Sequence, residues 1–159
     1  MEHSKTNVMR ILDKAGITYQ SHSYDASDGQ IDGISVAGKM GLPINKVYKT
    51  LVTQGHSRNY FVFIIPVAEE LDLKAAARSV GEKSIEMIKV ADINKVTGYI
   101  RGGCSPLGMK KAYITVLDSL AEDLDTIIIS AGKIGQQIEL NPRDLIRLIN
   151  GSFNSIIIG

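Results

Sequence analysis

The 159-residue chain contains one cysteine, Cys104, and only three histidines, His3, His22 and His56, which lie far apart. A single thiol excludes an internal disulfide, and scattered imidazoles lack the close spacing of a local metal motif, so no metal is expected. Long apolar runs are missing too. The main aliphatic blocks, Tyr60 to Pro66, Leu124 to Ser130 and Phe153 to Ile158, fall far short of the roughly 20 residues that cross a bilayer. No membrane partner is therefore expected. The opening residues, Met-Glu-His-Ser-Lys-Thr-Asn, carry no apolar segment behind a basic start, which removes the signature of a secretory signal and makes the cytoplasm the expected location.

Several site motifs are also missing. Gly132-Lys133 lacks the earlier glycine of a P-loop, and no Gly-x-Gly-x-x-Gly follows a strand, so ATP chemistry and dinucleotide redox are disfavoured and no cofactor is expected. Ser105 sits in Gly-Cys-Ser-Pro-Leu-Gly, where Pro106 opposes the helix that a hydrolase nucleophile elbow needs. Cys104 has no basic partner recognisable in sequence and reads better as a small buried hydrophobe than as a thiolate.

What is present is unevenly distributed. Net charge is +1, yet residues 93–117 hold Lys95, Arg101, Lys110 and Lys111 without an acid, and residues 118–125 hold Asp118, Glu122, Asp123 and Asp125 without a base. Such asymmetry either builds a local basic face or simply solvates a surface.

The periodicity predicts one mixed domain spanning residues 1–159. Ser4 is a candidate cap for a helix through Val8, Ile11, Leu12 and Ala15, ended by Gly16. A strand is expected over Ile17–Tyr24, a loop over Asp25–Gly33 and a short helix over Ile34–Met40. Val47–Thr53 and Tyr60–Ile65 read as a hairpin. Asp72 should cap a helix that stops at Gly81, a short strand should cover Ser84–Ile88, and Asp92 should cap a brief helix that runs to Gly98. Further strands are expected over Ala112–Leu117, Thr126–Ser130 and Ile138–Leu140. A helix capped by Asn141 with Pro142 at its first position follows, and a closing strand over Ser155–Ile158. The fold class read from this order is α+β: a largely antiparallel or mixed curved sheet with helices around it.

Three clusters stand at the edges of apolar runs: Lys46-Val-Tyr-Lys49-Thr50, the glycine-rich stretch from Gly98 to Gly108, and Ser130-Ala-Gly132-Lys133. Glycine at strand ends marks tight turns or backbone lying close to a ligand. Exposed N–H groups of Gly102, Gly103 and Ser105 can hold a carbonyl oxygen or a phosphate, or the stretch is an ordinary turn. Lys49, in a strand-forming segment, either points its ammonium at an anion or protects a sheet edge from aggregation.

Together these clusters resemble the YbaK-type free-standing aminoacyl-tRNA editing domains, the Cys-tRNA(Pro) deacylases related to the editing insertion of prolyl-tRNA synthetase. The resemblance spans nearly the whole chain. It rests on His22-Ser-Tyr24, Val47-Tyr-Lys49-Thr50, Pro66-Val-Ala68 with Leu71-Asp-Leu-Lys74, and Thr97-Gly-Tyr99. It also includes Gly102-Gly-x-Ser105-Pro106-x-Gly108-x-Lys110-Lys111, Ser130-x-Gly132-Lys133 and Ile138-Glu-Leu140. It implies a barrel-like editing-domain fold and removal of a wrong amino acid from tRNA, through attack by the substrate's own thiol or by water. Cysteine on tRNA(Pro) is the first expectation. Alanine or another small acyl group, or a non-catalytic tRNA or nucleotide binder, is the alternative. Lys49 matches the essential lysine. Tyr24, Thr50, Gly102, Gly103, Ser105, Pro106, Ser130 and Gly132 match the substrate pocket, and Arg101, Lys110, Lys111 and Lys133 are candidate tRNA contacts. The implied partners are aminoacylated tRNA(Pro), tRNA(Cys) and a transient complex with prolyl-tRNA synthetase, with no DNA. Two departures are visible: Gln137 stands where related proteins carry an acid, and Cys104 where an aliphatic residue is common.

Overall fold

The structure is a computed structural model and describes residues 5–159. Its five helices are α1 (Asn7–Ala15), α2 (Gly33–Met40), α3 (Leu73–Val80), α4 (Ile93–Thr97) and α5 (Pro142–Ile149). The strands are β1 (Tyr19–Ser23), β2 (Tyr48–Gly55), β3 (Tyr60–Pro66), β4 (Ile85–Met87), β5 (Ile114–Asp118), β6 (Ile127–Lys133), β7 (Gln136–Leu140) and β8 (Ser152–Asn154).

They form two sheets. One is antiparallel, in the order β1-β7-β6; the other runs β4-β2-β3-β5-β8, with parallel pairing of β3 to β5 and of β5 to β8. A bridge from Val47 to Ile128 joins them at the start of β2. The α+β class and mixed sheet therefore stand, with the single curved sheet resolved into two sheets joined at a seam.

Alternating side chains decide what each face meets. Ile127, Ile129, Ala131, Ile138 and Leu140 from the antiparallel sheet pack with Val8, Met9 and Leu12 of α1, Leu145 of α5, and Tyr48, Ile64 and Leu117 of the larger sheet. The larger sheet's other face, with Phe61, Phe63, Ile65 and Val116, takes Ala76 and Ala77 of α3 together with Ile156. A third cluster, Ala37, Val47, Val67 and Ile128, seats α2 over the seam.

Three expectations need correction. Ser4 lies outside the described residues, and the cap of α1 is Thr6, extended at φ −79° and ψ 167°, whose side chain accepts from the Met9 amide. Asp92 precedes α4 but makes no capping bond, because a 3₁₀ turn over Val90–Asp92 runs straight into the helix. The closing strand is Ser152–Asn154, which pairs with Val116–Asp118, whereas Ile157 makes an isolated bridge to Leu71. Buried Ile156 explains why the last apolar run looked like a strand: it fills the core without joining a ladder.

The caps of α3 and α5 match the sequence reading. Asn141 Oδ1 accepts from the Arg143 and Asp144 amides at 2.8 and 3.3 Å, with Pro142 in the first turn. Asn141→Ala is expected to cost about 1 kcal/mol. For a chain of this size that lowers the melting temperature by about 2–4 °C, measurable by differential scanning calorimetry.

Candidate functional site

β2 crosses the seam with its first half open on one side, because β4 pairs only with Thr53–Gly55. A cleft of about 480 Å³ opens along that edge. Lys49 and Thr50 of β2, Asp32 and Ile34 at the start of α2, Arg101, Gly102 and Cys104 of the glycine-rich loop, Ser130 of β6 and Gln137 of β7 line it. Three clusters far apart in sequence thus supply its walls.

The glycine-rich loop is held from both ends. Tyr99 donates its hydroxyl to the Leu107 carbonyl, and the Lys110 amide closes back on the Thr97 carbonyl at 3.1 Å. Gly102, at φ +86°, lies so close to Ile31 that an added Cβ would stand 2.6 Å from its Cδ1. Gly103 is buried against the Lys133–Ile134 backbone, with 3.2 Å from such a Cβ to the Ile134 nitrogen. Glycine is needed at both places because the loop is pressed onto neighbours.

The charge in the cleft is uneven. Lys49 and Arg101 are its two cations. Asp32 is its acid, and it is already engaged as the cap of α2: it accepts from the Ser35 hydroxyl at 2.7 Å and the Ser35 amide at 3.1 Å, bonds that hold its carboxyl below the usual range. No described acid forms a salt bridge with Lys49. Burial pushes the Cys104 thiol up to about 11 despite a counteracting bond from Thr97, so it is protonated at neutral pH and is a poor nucleophile.

Polar atoms without partners mark the same cleft. Gln137 is only 7% exposed and lines the cavity, and the hydroxyl of Tyr48, another lining residue, is buried without a partner. Thr50 Oγ1 is buried without a partner. Ser130 Oγ instead accepts from the Gly132 amide at 3.1 Å, at a break in the β6–β7 register. Buried polar groups are normally paired, so unpaired ones in a cavity point to a bound polar ligand.

Behind the cleft, Glu139 of β7 gathers three groups. Oε1 meets His22 Nε2 and Oε2 meets Lys46 Nζ, each at 2.9 Å, and Thr126 donates its hydroxyl to Oε2. Burial alone raises its carboxyl, but the bonds from Thr126, Lys46 and His22 overcome that and bring it down to about 2.

The residues expected from sequence are therefore only partly brought together. Lys49, Thr50, Arg101, Gly102 and Ser130 line the cleft. Ser105 is fully buried, with its hydroxyl accepting from the Leu107 amide, and Gly132 packs against Val8 and Tyr99. Pro106 and Lys111 line a second cavity beside α5. Tyr24 lies near Lys39, whose Nζ is 5.8 Å from its ring centroid, and its hydroxyl has no partner. Lys110 caps the Lys95 carbonyl, and Lys133 is exposed at the β6–β7 turn. Gln137 and the Glu139 cluster were given no role by the sequence, although a glutamate between the inward-facing Ile138 and Leu140 must face the opposite side of the strand.

Residues 33–148 match the model of the aminoacyl-tRNA editing domain, and the chain belongs to that family. A curated protein of Enterococcus faecalis, EbsC, provisionally named a Cys-tRNA(Pro)/Cys-tRNA(Cys) deacylase, is 43% identical over 152 residues, covering 96% of this chain and 93% of that protein. Among solved structures, one provisionally called a trans-editing enzyme for prolyl tRNA synthetase superposes with a TM-score of 0.81 at 20% identity, covering 98% of this chain and 100% of that one. The hypothetical protein APE2540 gives 0.86 at 16% identity, over 95% and 99%. These two show the shared fold.

Proposed function

We propose that the protein is a trans-acting aminoacyl-tRNA deacylase that removes cysteine from mischarged tRNA, tRNA(Pro) first and tRNA(Cys) beside it. The observation that carries this reading is the meeting of Lys49, Gly102 and Ser130, from three separate sequence clusters, in one cleft of an editing-family chain.

An aminoacyl ester is already activated, so a cleft that fixes its geometry and stabilises the developing oxyanion needs no strong nucleophile of its own. Lys49 supplies fixed positive charge for the carbonyl oxygen or the adjoining phosphate, and the Gly102 backbone offers a nearby amide. With a cysteinyl ester, the substrate sulfur attacks its own carbonyl carbon. The C–S bond forms as the C–O bond to the ribose breaks, the thiol proton ends on the ribose oxygen, and water opens the released thiolactone. With an alanyl ester, water must attack instead. Tyr24, Gly103, Ser105, Pro106 and Gly132 act in this reading by shaping the loop and the β6–β7 turn around the pocket.

The test is release of labelled amino acid from Cys-tRNA(Pro), Ala-tRNA(Pro) and Pro-tRNA(Pro). Rapid loss of the cysteinyl ester is the expected result; tRNA binding without loss of any ester would leave a binding protein in place of an enzyme.

Arg101, Lys110, Lys111 and Lys133 are the proposed contacts to the acceptor arm, and prolyl-tRNA synthetase the proposed transient partner. Each phosphate neutralised releases counterions, so affinity for tRNA should fall steeply as salt rises, and Lys110→Ala with Lys111→Ala should flatten that slope by about 1–2 in log K against log salt. Filter binding at several salt concentrations measures it. An unchanged slope removes these two lysines from the contact.

A further inference from the structure

Gln137 makes demands that the proposed reaction has not yet met. It is 7% exposed and lines the cleft beside Thr50, whose hydroxyl is buried without a partner. Directly across the sheet from it stand Ser130 on β6 and His22 on β1. The charged or titratable groups around it are Tyr48, whose phenol burial raises, and Lys49 from β2, Arg101 and the neutral Cys104 from the glycine-rich loop, and Asp32 from the start of α2. Further along the same face are His22, Glu139 and Lys46, already bonded to one another.

Resting on the deacylase reading, we infer that Gln137 is a specificity residue that takes the α-amino group of the bound aminoacyl ester in its uncharged form. A carboxamide offers one acceptor and two donors. A neutral amine matches both ends, giving an N–H to Oε1 and its lone pair to the amide N–H. An ammonium has no lone pair, so it leaves the amide N–H of Gln137 unmatched and enters a cleft that already holds two cations, with Asp32 committed to Ser35. The neutral form is plentiful near pH 7, because an ordinary α-amino group titrates at about 7.7–8.0 and the neighbouring ester lowers that further. A secondary ring amine presents one N–H fewer and a different direction of its lone pair, so the same residue helps to reject proline.

The experiment compares kcat/KM for Cys-tRNA(Pro) with that for the 2-hydroxy-3-mercaptopropionyl ester on the same tRNA, from about pH 6 to pH 8.5. The ratio cancels every enzyme titration that the two esters share. In the wild type the ratio should rise about tenfold per pH unit below the amine pKa and then level off. In Gln137→Glu, whose carboxylate pairs with an ammonium, the rise should vanish or reverse. In Gln137→Leu the ratio should be low throughout, which keeps the test open if the glutamate variant fails to fold. A wild-type ratio that is flat or falls with pH overturns the inference, as does a Gln137→Glu profile like that of the wild type. If the wild type releases neither acyl group, the deacylase reading itself has failed, a result separate from a wrong pH profile.

Discussion

Lys49→Ala should fold like the wild type and lose deacylation of Cys-tRNA(Pro) by about 100-fold or more, the scale on which removing one preorganised oxyanion donor acts. Lys49 is half-buried on the open edge of β2, with no salt bridge to a described residue, so truncation breaks no ion pair. Loss of stability should stay near 0.5 kcal/mol. Single-turnover release of labelled cysteine, with unfolding followed in parallel, separates the two effects. Lys49→Arg keeps the charge but replaces a compact ammonium by a broad planar fork, and should recover only part of the rate. Wild-type activity in Lys49→Ala would remove this residue from the site.

Glu139→Ala should cost about 1.5–3 kcal/mol, the range for losing hydrogen bonds to a charged group. The truncation leaves Lys46 and His22 facing each other beside the seam. The same carboxylate also sets an acid response. Its folded pKa of about 2 lies below the ordinary 4.5, so its stabilisation is complete above that ordinary value and is lost as pH falls from there through about 2. At 1.36 kcal/mol per unit, the amount at stake is about 3 kcal/mol. Urea unfolding at pH 7 and at pH 3 should show a smaller loss on acidification for Glu139→Ala than for the wild type. Equal losses would mean that other carboxylates control acid unfolding.

Local signals carried the helices well. Asp72 with Gly81, and Asn141 with Pro142, announce α3 and α5 because capping is chemistry between near neighbours. The β2–β3 hairpin was legible for the same reason. Ser155–Ile158 misled because apolar composition reports burial, not hydrogen bonding, and the available ladder positions beside Val116–Asp118 fell to the preceding residues. The site was legible in pieces. Lys49, Gly102 and Ser130 stood out as polar or glycine interruptions of apolar runs, but nothing local shows that Gln137 closes the same cleft or that Glu139 collects His22 and Lys46. Those meetings depend on pairings between residues more than ninety positions apart.

The pairing of β1 with β7 also orders events in time. Tyr19 meets Leu140 and Ser23 meets Gln136, so a chain growing on the ribosome can complete the β2–β3 hairpin early but has to wait for its last strands before the antiparallel sheet exists. Ser130 and Gln137 belong to that late part and Lys49 to the early one. Lys49 therefore spends most of synthesis without the wall that faces it, and a truncated chain ending before β6 should be inert toward aminoacyl esters. Activity arrives only as the two ends of the protein close on each other.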